Sequence, residues 1–160
     1  MDLADHRAIP VLGLSALPRT ALVNGFRDYF STTDTDSLSA ITILQGYRRL
    51  IVHNDTHHPN RQASNLSHEL SDSILEHEPA PLANAEGQRF WNAEVEQEAT
   101  WLGAALLVPR EAALAMIRSG RLAPEIAAHF GVSEELCSWR IRQTGILLQV
   151  ERARVWSRDS

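Results

Sequence analysis

The sequence predicts an α+β fold, with a short β-sheet beside one long helix and a helical C-terminal half. Two runs rich in apolar and β-branched residues, 38–44 and 48–53, flank Gly46 and are typical of a β-hairpin. From residue 60 onward, apolar residues recur every three or four positions between Pro and Gly breaks, which indicates successive amphipathic helices.

Length and composition predict one globular domain over 1–160. Hydrophobic residues make up 44% of the chain and charged residues 22%, and the net charge of −5 argues against a surface built mainly to bind nucleic acid. The single cysteine, Cys137, excludes an internal disulfide and favours a reducing compartment. The longest apolar run, 101–108, is too short to cross a bilayer, so we expect a cytoplasmic protein without a membrane partner.

Proline, glycine and polar clusters set the expected element boundaries. In the long helix the apolar stripe includes Leu66 and Leu70, and in the helix that follows it includes Ala99 and Leu106. The expected segments are an arm or short extended piece (1–16), a helix (18–30), a polar linker (31–37), the hairpin strands (38–44 and 48–53), a helix capped by Asn60 (60–77), a loop (78–88), helices (90–107, 109–118, 124–130 and 134–144) and a terminal strand or extended tail (146–150).

The long helix carries the residues that most strongly suggest chemistry. His68 and Asp72 are four residues apart and therefore share one face, where both can reach one divalent cation. Glu69, beside them, can reach a water on that cation. This is the geometry of the H-E-x-x-H metallopeptidase helix with Asp in place of the second His. Taken alone, the motif is equally compatible with a solvated helix face.

The surroundings of the motif favour a site over a solvated face. The apolar stripe places the helix against the core, and an acid-rich helix segment, 94–100, follows at a distance that lets it fold back. Carboxylates held between packed helices require either solvent or a cation.

Several segments, in the same order, resemble the ImmA/IrrE family of metallopeptidases, which share a small gluzincin-like core. The resemblance covers about two thirds of the chain, from Leu38 to Gly145. The matching segments are the hairpin end Leu50–Asp55, the helix segments Arg61–Leu70 and Ile74–His77, the run Glu96–Pro109 and the C-terminal part Ile126–Ser133.

The resemblance implies a role for each matching residue. His68 would be a zinc ligand, and Glu69 would be the catalytic general base. Asp72 would be the second ligand, and Glu96 the third, with Glu98 as the alternative. Thr100 stands where related enzymes have the Asp or Asn that supports the ligand Glu.

Asp72 leaves three alternatives open. Aspartate can ligate zinc, but two anionic ligands reduce the Lewis acidity of the cation, and oxygen-rich ligation shifts the preference from Zn²⁺ toward Mn²⁺. The protein is therefore an active enzyme with altered ligands, a metal-binding protein without catalysis, or a metal-free relative.

The resemblance implies a zinc-dependent endopeptidase that cleaves a helix-turn-helix transcriptional repressor in stress response or mobile-element control. The alternative function is a catalytically impaired regulatory module that binds a partner protein.

The C-terminal subregion 121–145 itself has a helix-turn-helix pattern, with Gly131–Ser133 in the turn. Glu134 and Glu135 begin its second helix and place acids where DNA bases and phosphates would lie. We therefore expect this subregion to be a packing module or protein docking surface rather than a direct DNA contact. Cys137 is expected to be a small core residue.

Overall fold

The computed structural model describes residues 3–18, 26–77 and 92–156. Within these ranges it contains a three-stranded sheet and a series of helices, which confirms the α+β fold. The strands are β1 (Val11–Gly13), β2 (Ala40–Gln45) and β3 (Arg48–His53). The helices are α1 (Leu3–His6), α2 (Phe26–Asp28), α3 (Pro59–Ile74), α4 (Ala93–Leu107), α5 (Arg110–Arg118), α6 (Ala123–Phe130), α7 (Glu134–Gln143) and α8 (Ile146–Trp156), with a 3₁₀ turn (Leu14–Ala16) and a π-helical turn (Tyr29–Thr33).

The sheet has the order β1-β3-β2. Strands β2 and β3 form the expected antiparallel hairpin, and Gly46 has φ 60°, the positive value that its two-residue turn requires. Strand β1 pairs in parallel with β3, with Val11 opposite Ile51. The expected extended arm is thus partly correct, because its three-residue strand is preceded by the short helix α1.

The central strand β3 is buried on both faces. Ile51 and Val52 have no exposed surface, and as neighbours in a strand they point to opposite sides. Ile51 packs in a cluster with Leu70 of α3, while Val52 packs with Leu14 and Leu38 on the other face. The first of these two small cores therefore fixes α3 against one face of the sheet, and the second covers the opposite face.

Helix α3 begins and ends earlier than the sequence predicts. It starts at Pro59, and its cap is His58, whose Nδ1 accepts the Asn60 N–H at 3.3 Å. Asn60 is therefore not the cap, because Pro at the first helical position moves the start toward the N-terminus. The helix ends at Ile74, three residues before the expected end at His77.

Helix α4 crosses α3 at close range because both helices have small residues at the contact. The Ser67 hydroxyl donates a hydrogen bond of 2.7 Å to the Gly103 carbonyl, and a Cβ at Gly103 would lie 3.2 Å from that Ser67 oxygen. Ala99 is fully buried in α4. Leu106, which was expected in the core, is 38% exposed instead.

The last four helices surround a separate apolar cluster that includes Ile126 and Cys137. The predicted terminal strand or extended tail over 146–150 is wrong, because these residues begin helix α8. Ile146 and Val150 lie four residues apart and are both buried in the cluster, a spacing that a helix satisfies and an alternating strand does not.

Trp101 of α4 and Trp139 of α7 join the two parts of the fold. Their rings meet edge to face with centroids 5.4 Å apart. The guanidinium of Arg140 lies 5.8 Å from the Trp101 ring, and its Nε donates to the Val108 carbonyl at 3.4 Å. Arg140 is buried, so its charge is held by the ring face and by the carbonyl at the end of α4.

Two other expected segments fall partly or wholly outside the described residues. For the helix over 18–30, residues 19–25 are not described; the described part is α2, which continues as the π-helical turn to Thr33. The predicted linker 31–37 therefore begins as helix: the Asp34 N–H donates to the Tyr29 carbonyl at 3.0 Å, and the Thr32 hydroxyl donates to the Asp28 carbonyl at 2.6 Å. The loop over 78–88 lies outside the description.

No single helix within the described ranges is long and apolar enough to cross a membrane. Helices α4 and α5 reach that length and composition only as a pair, and they are bent by 51°.

Candidate active site

The crossing of α3 and α4 brings His68 and Glu96 together. His68 Nε2 lies 3.4 Å from Glu96 Oε2 and 3.6 Å from Asp72 Oδ2, and all three side chains are about one third exposed or less. These separations exceed an ordinary hydrogen bond of about 2.7–3.2 Å. Two atoms that each lie about 2.0–2.2 Å from one tetrahedral cation are about 3.3–3.6 Å apart, so both pairs are spaced like ligands of a shared ion.

Glu69 faces the sheet and is held by β2. The Thr42 hydroxyl donates a hydrogen bond of 2.5 Å to Glu69 Oε2. Burial raises the pKa of the Glu69 carboxyl above its usual range, and the nearby charges of Asp72 and Glu96 add to the increase, while the bond from Thr42 and the charge of His68 oppose it. Glu69 is therefore held in one orientation and keeps its proton to a higher pH than a solvated glutamate does.

His77 connects Asp72 to Glu98 of α4. Its Nδ1 lies 2.8 Å from Asp72 Oδ1, and its Nε2 lies 3.1 Å from Glu98 Oε2. The hydrogen bond to Asp72 is the main cause of a raised His77 pKa, with a further contribution from Glu98. A protonated imidazole donates from both nitrogens, so one His77 ring can satisfy both carboxylates.

The structure thus separates the two candidate glutamates. Glu96 is next to His68, whereas Glu98 binds His77. Thr100, at the position that supports the ligand Glu in related enzymes, is exposed. The arrangement favours Glu96 as the residue that would complete a site with His68 and Asp72.

The same geometry limits the site as a metal centre. Across the described ranges, no group of three or more His, Cys, Asp or Glu side chains is arranged so that it could hold a metal ion. His68, Asp72 and Glu96 have suitable donor atoms and two suitable pair separations, but one Asp72 oxygen is already bound to His77. A closed three-residue cation site is therefore not formed.

Two of these contacts could not be read from the sequence. Thr42 is a β-branched strand residue like its neighbours, and nothing in its local pattern marks it as the partner of Glu69. His77 follows a helix end and depends on the αL conformation of Glu76, φ 58°, to turn back toward Asp72.

Two further residues, His57 and Cys137, have structural roles. His57 is 9% exposed, and its Nε2 lies 2.6 Å from the Thr35 carbonyl. This hydrogen bond holds the segment before β2 against the loop that follows β3. Cys137 is fully buried as expected, and burial raises the pKa of its thiol. A buried, protonated thiol is a poor nucleophile, which agrees with a core role.

Comparison with known families gives one match. Residues 24–142 match the family model Peptidase_M78, described as the IrrE N-terminal-like domain. The chain belongs to this family. The match runs from before α2 to the next-to-last residue of α7 and includes His68, Glu69, Asp72 and Glu96.

Membership in the Peptidase_M78 family supports a metallopeptidase type of function and a protein substrate. It also suggests a metal cofactor, without identifying the ion. No curated protein and no solved structure matches the chain.

Proposed function

We propose that this protein is a zinc-dependent endopeptidase that acts in the cytoplasm and cleaves a helix-turn-helix transcriptional repressor. The observation that carries the peptidase proposal is the placement of His68 Nε2 within 3.4 Å of Glu96 and 3.6 Å of Asp72, with Glu69 beside it and fixed by Thr42. The family match supports the reaction class. The repressor substrate and a role in stress response or mobile-element control rest on the family resemblance.

His68, Asp72 and Glu96 are the residues we propose as metal ligands, with Zn²⁺ as the ion and Mn²⁺ as the alternative. When bound, such an ion supplies Lewis acidity to the peptide carbonyl and to water. The two carboxylates in the donor set favour a harder ion more than a two-histidine set does.

Glu69 is proposed as the general base. Its carboxylate accepts a proton from the attacking water and delivers it to the leaving amine, and a raised pKa suits a group that must do both near neutral pH. Thr42 holds one carboxylate oxygen, which leaves the other oxygen for the transferred proton. Because the site is partly buried, it limits the access of other water molecules to the reacting groups.

The first test is the metal content of protein purified without a chelator, followed by titration of the metal-free protein with Zn²⁺ and Mn²⁺. We expect about one ion per chain, as for a single metallopeptidase centre. His68→Ala should abolish binding, while Gln97→Ala, an exposed α4 change, should leave it intact. Stoichiometric metal in a His68→Ala, Glu96→Ala double variant would contradict the ligand assignment.

The second test separates catalysis from metal binding. Glu69→Gln should retain the ion and lose cleavage of the cognate repressor, because it removes the proton acceptor but none of the proposed ligands. Undiminished cleavage by this variant would show that Glu69 is not the base.

One observation favours a second candidate function, a regulatory module that has lost catalysis. Asp72 is bound by His77, and the described residues form no closed three-residue metal group. Such a module would bind the repressor without cutting it. Binding of the intact repressor by a metal-free protein, with no cleavage after metal addition, would favour this candidate.

A further inference from the structure

A cavity of about 780 Å³ lies at the C-terminal end of α3, away from the candidate active site. Three parts of the chain line it: the turn after α1, the tip of the hairpin with the start of β3, and the end of α3. None of His68, Glu69, Asp72 and Glu96 is among the lining residues. Its volume falls in the range of about 300–1,000 Å³ typical of small-molecule sites.

The cavity is strongly basic although the whole chain is acidic. Arg7, Arg48 and Arg49 line it, and among the described lining residues Glu76 is the one acid. Arg49 Nη2 donates to the His77 carbonyl at 3.3 Å. Within the described part of the chain, the side chains of Arg7 and Arg48 form no ion pair or hydrogen bond. Two guanidinium groups are therefore free to bind an anion.

Ser73 gives an independent indication of a ligand. It lines the cavity and is only 5% exposed, yet its hydroxyl has no hydrogen-bond partner among the described residues. The other buried serines of α3 differ, because Ser67 bonds the Gly103 carbonyl and Ser71 bonds the Ser67 carbonyl, both at 2.7 Å. Its oxygen is not one of the solvent-inaccessible unpaired atoms of the described residues, which belong to His53, His57 and Asn65. The Ser73 hydroxyl therefore opens onto the cavity that it lines and is available to an occupant.

The backbone at the rim is held in an unusual conformation. Ala8 (φ 53°) and Glu76 (φ 58°) are the two non-glycine residues with positive φ in the described chain, and both line the cavity. Each reverses the chain after a helix, as the bonds from Ile9 N to Ala4 O and from His77 N to Asp72 O show. These turns bring the ends of α1 and α3 to opposite sides of the same space.

We propose that this cavity binds a phosphate-bearing small molecule about the size of a mononucleotide. Three guanidinium groups and a hydroxyl suit a group with three acceptor oxygens better than a carboxylate, which has two. Tyr47 lines the same cavity and is fully exposed at the hairpin tip, where its ring can stack on a planar group. This site is separate from the proposed peptidase chemistry and does not depend on it.

The binding test uses the full chain in metal-free buffer and titration calorimetry with inorganic phosphate, AMP, adenosine and a hexa-aspartate peptide. AMP should bind at least tenfold more tightly than inorganic phosphate, and adenosine should not bind measurably. Equal affinity for AMP and inorganic phosphate would overturn the role of Tyr47 in the proposal. Tighter binding of the peptide than of AMP would overturn the small-molecule assignment.

Variants locate the site. An Arg7→Gln, Arg48→Gln double variant should weaken AMP binding at least tenfold, and Ser73→Ala should weaken it severalfold. Glu76→Gln should strengthen binding, because it removes an acid from the lining. An Arg118→Gln, Arg142→Gln variant, with two exposed changes on α5 and α7, is the matched control for the loss of two charges. Circular dichroism checks folding, and equal losses in the control and the double variant would overturn the proposal.

Discussion

Asp72 is the residue on which the choice between enzyme and binding module depends. Its two oxygens face two different histidines, with His77 at 2.8 Å and His68 at 3.6 Å. Only the contact with His77 is short enough to be a hydrogen bond. A cation that binds Asp72 must therefore compete with His77 for the carboxylate. Aspartate in place of the second histidine of the motif thus makes the site more negative. The hydrogen bond to His77 also restricts the movement of the Asp72 side chain.

Replacing Asp72 with His should raise zinc affinity and any weak peptidase activity. A neutral ligand would donate less electron density to a bound cation than an anion does, so the cation would withdraw more charge from its water, and that water would deprotonate at lower pH. Zinc titration and repressor cleavage of Asp72→His, compared with Asp72→Asn, measure the effect. A folded Asp72→His protein that binds zinc fully and still cleaves nothing would favour the non-enzymatic module.

His53 should make stability depend on pH. Its Nδ1 is buried without a partner among the described residues, and burial lowers its pKa below 6.5, against a smaller opposing effect of Asp55. As pH falls through 6.5 toward the lower folded pKa, the unfolded chain binds a proton that the folded chain does not, so the folded state loses stability. Urea unfolding from pH 8 to pH 5 should show this loss, and His53→Gln should reduce it. An unchanged slope in that variant would contradict the assignment.

At the scale of elements, the contact between α3 and α4 sets the positions of His68 and Glu96. Gly103 leaves little room for a side chain, since an added Cβ would lie 3.2 Å from Ser67 Oγ, a tight contact, and 3.4 Å from His68 N. The helices can approach this closely only because neither has a large side chain at the crossing.

Gly103→Val should therefore separate the helices and weaken both stability and metal binding. Overpacking of this kind costs about 1–3 kcal/mol of unfolding free energy. Gln97→Val, which puts the same side chain at an exposed position of α4, is the control for helix propensity. Urea denaturation and zinc titration measure both effects, and normal zinc affinity in a folded Gly103→Val protein would show that the crossing does not set the site.

Local sequence signals predicted most elements correctly, for reasons that the structure makes clear. The β-branched runs around Gly46 form the hairpin, and Ser133 caps α7 through a 3.1 Å bond from the Leu136 N–H. Elements that depend on long-range packing were predicted only in part, as for β1, or wrongly, as for α8. Strand β1 has three residues and exists only because β3 lies beside it, and α8 is helical because two of its residues reach the C-terminal cluster.

In the candidate site, too, the local features were predictable from the sequence and the long-range contacts were not. The spacing of His68, Glu69 and Asp72 on one helix was readable, because it is a property of the helix alone. The pairing of Glu69 with Thr42 depends on how α3 lies on β2, which no local pattern encodes.

At the scale of the whole molecule, α4 belongs to both halves of the fold. It packs along α3 through Gly103, and the residue after its last turn, Val108, is buried in the C-terminal cluster. The family match also runs through both halves, from residue 24 to residue 142. The C-terminal helices therefore help to hold the helix that carries Glu96.

Ile126→Ala should destabilise the protein by about 2–5 kcal/mol, the usual range for a large-to-small change in a core. Ile126 is fully buried in the C-terminal cluster, whereas Leu122 nearby is 68% exposed. Leu122→Ala should thus leave the free energy of unfolding nearly unchanged. Urea titration of both variants measures the difference, and similar losses for the two would show that the cluster is not a stabilising core.

The edge-to-face pair of Trp101 and Trp139 is an intrinsic spectroscopic probe of the packing between the two halves of the fold. One ring lies on the helix that carries Glu96 and the other on α7, so their relative orientation is fixed only while the two halves are packed together. Near-ultraviolet circular dichroism depends on such fixed aromatic packing and is lost when tertiary order is lost. The native chain can therefore report separation of its halves without a dye or label, even where its helices stay intact.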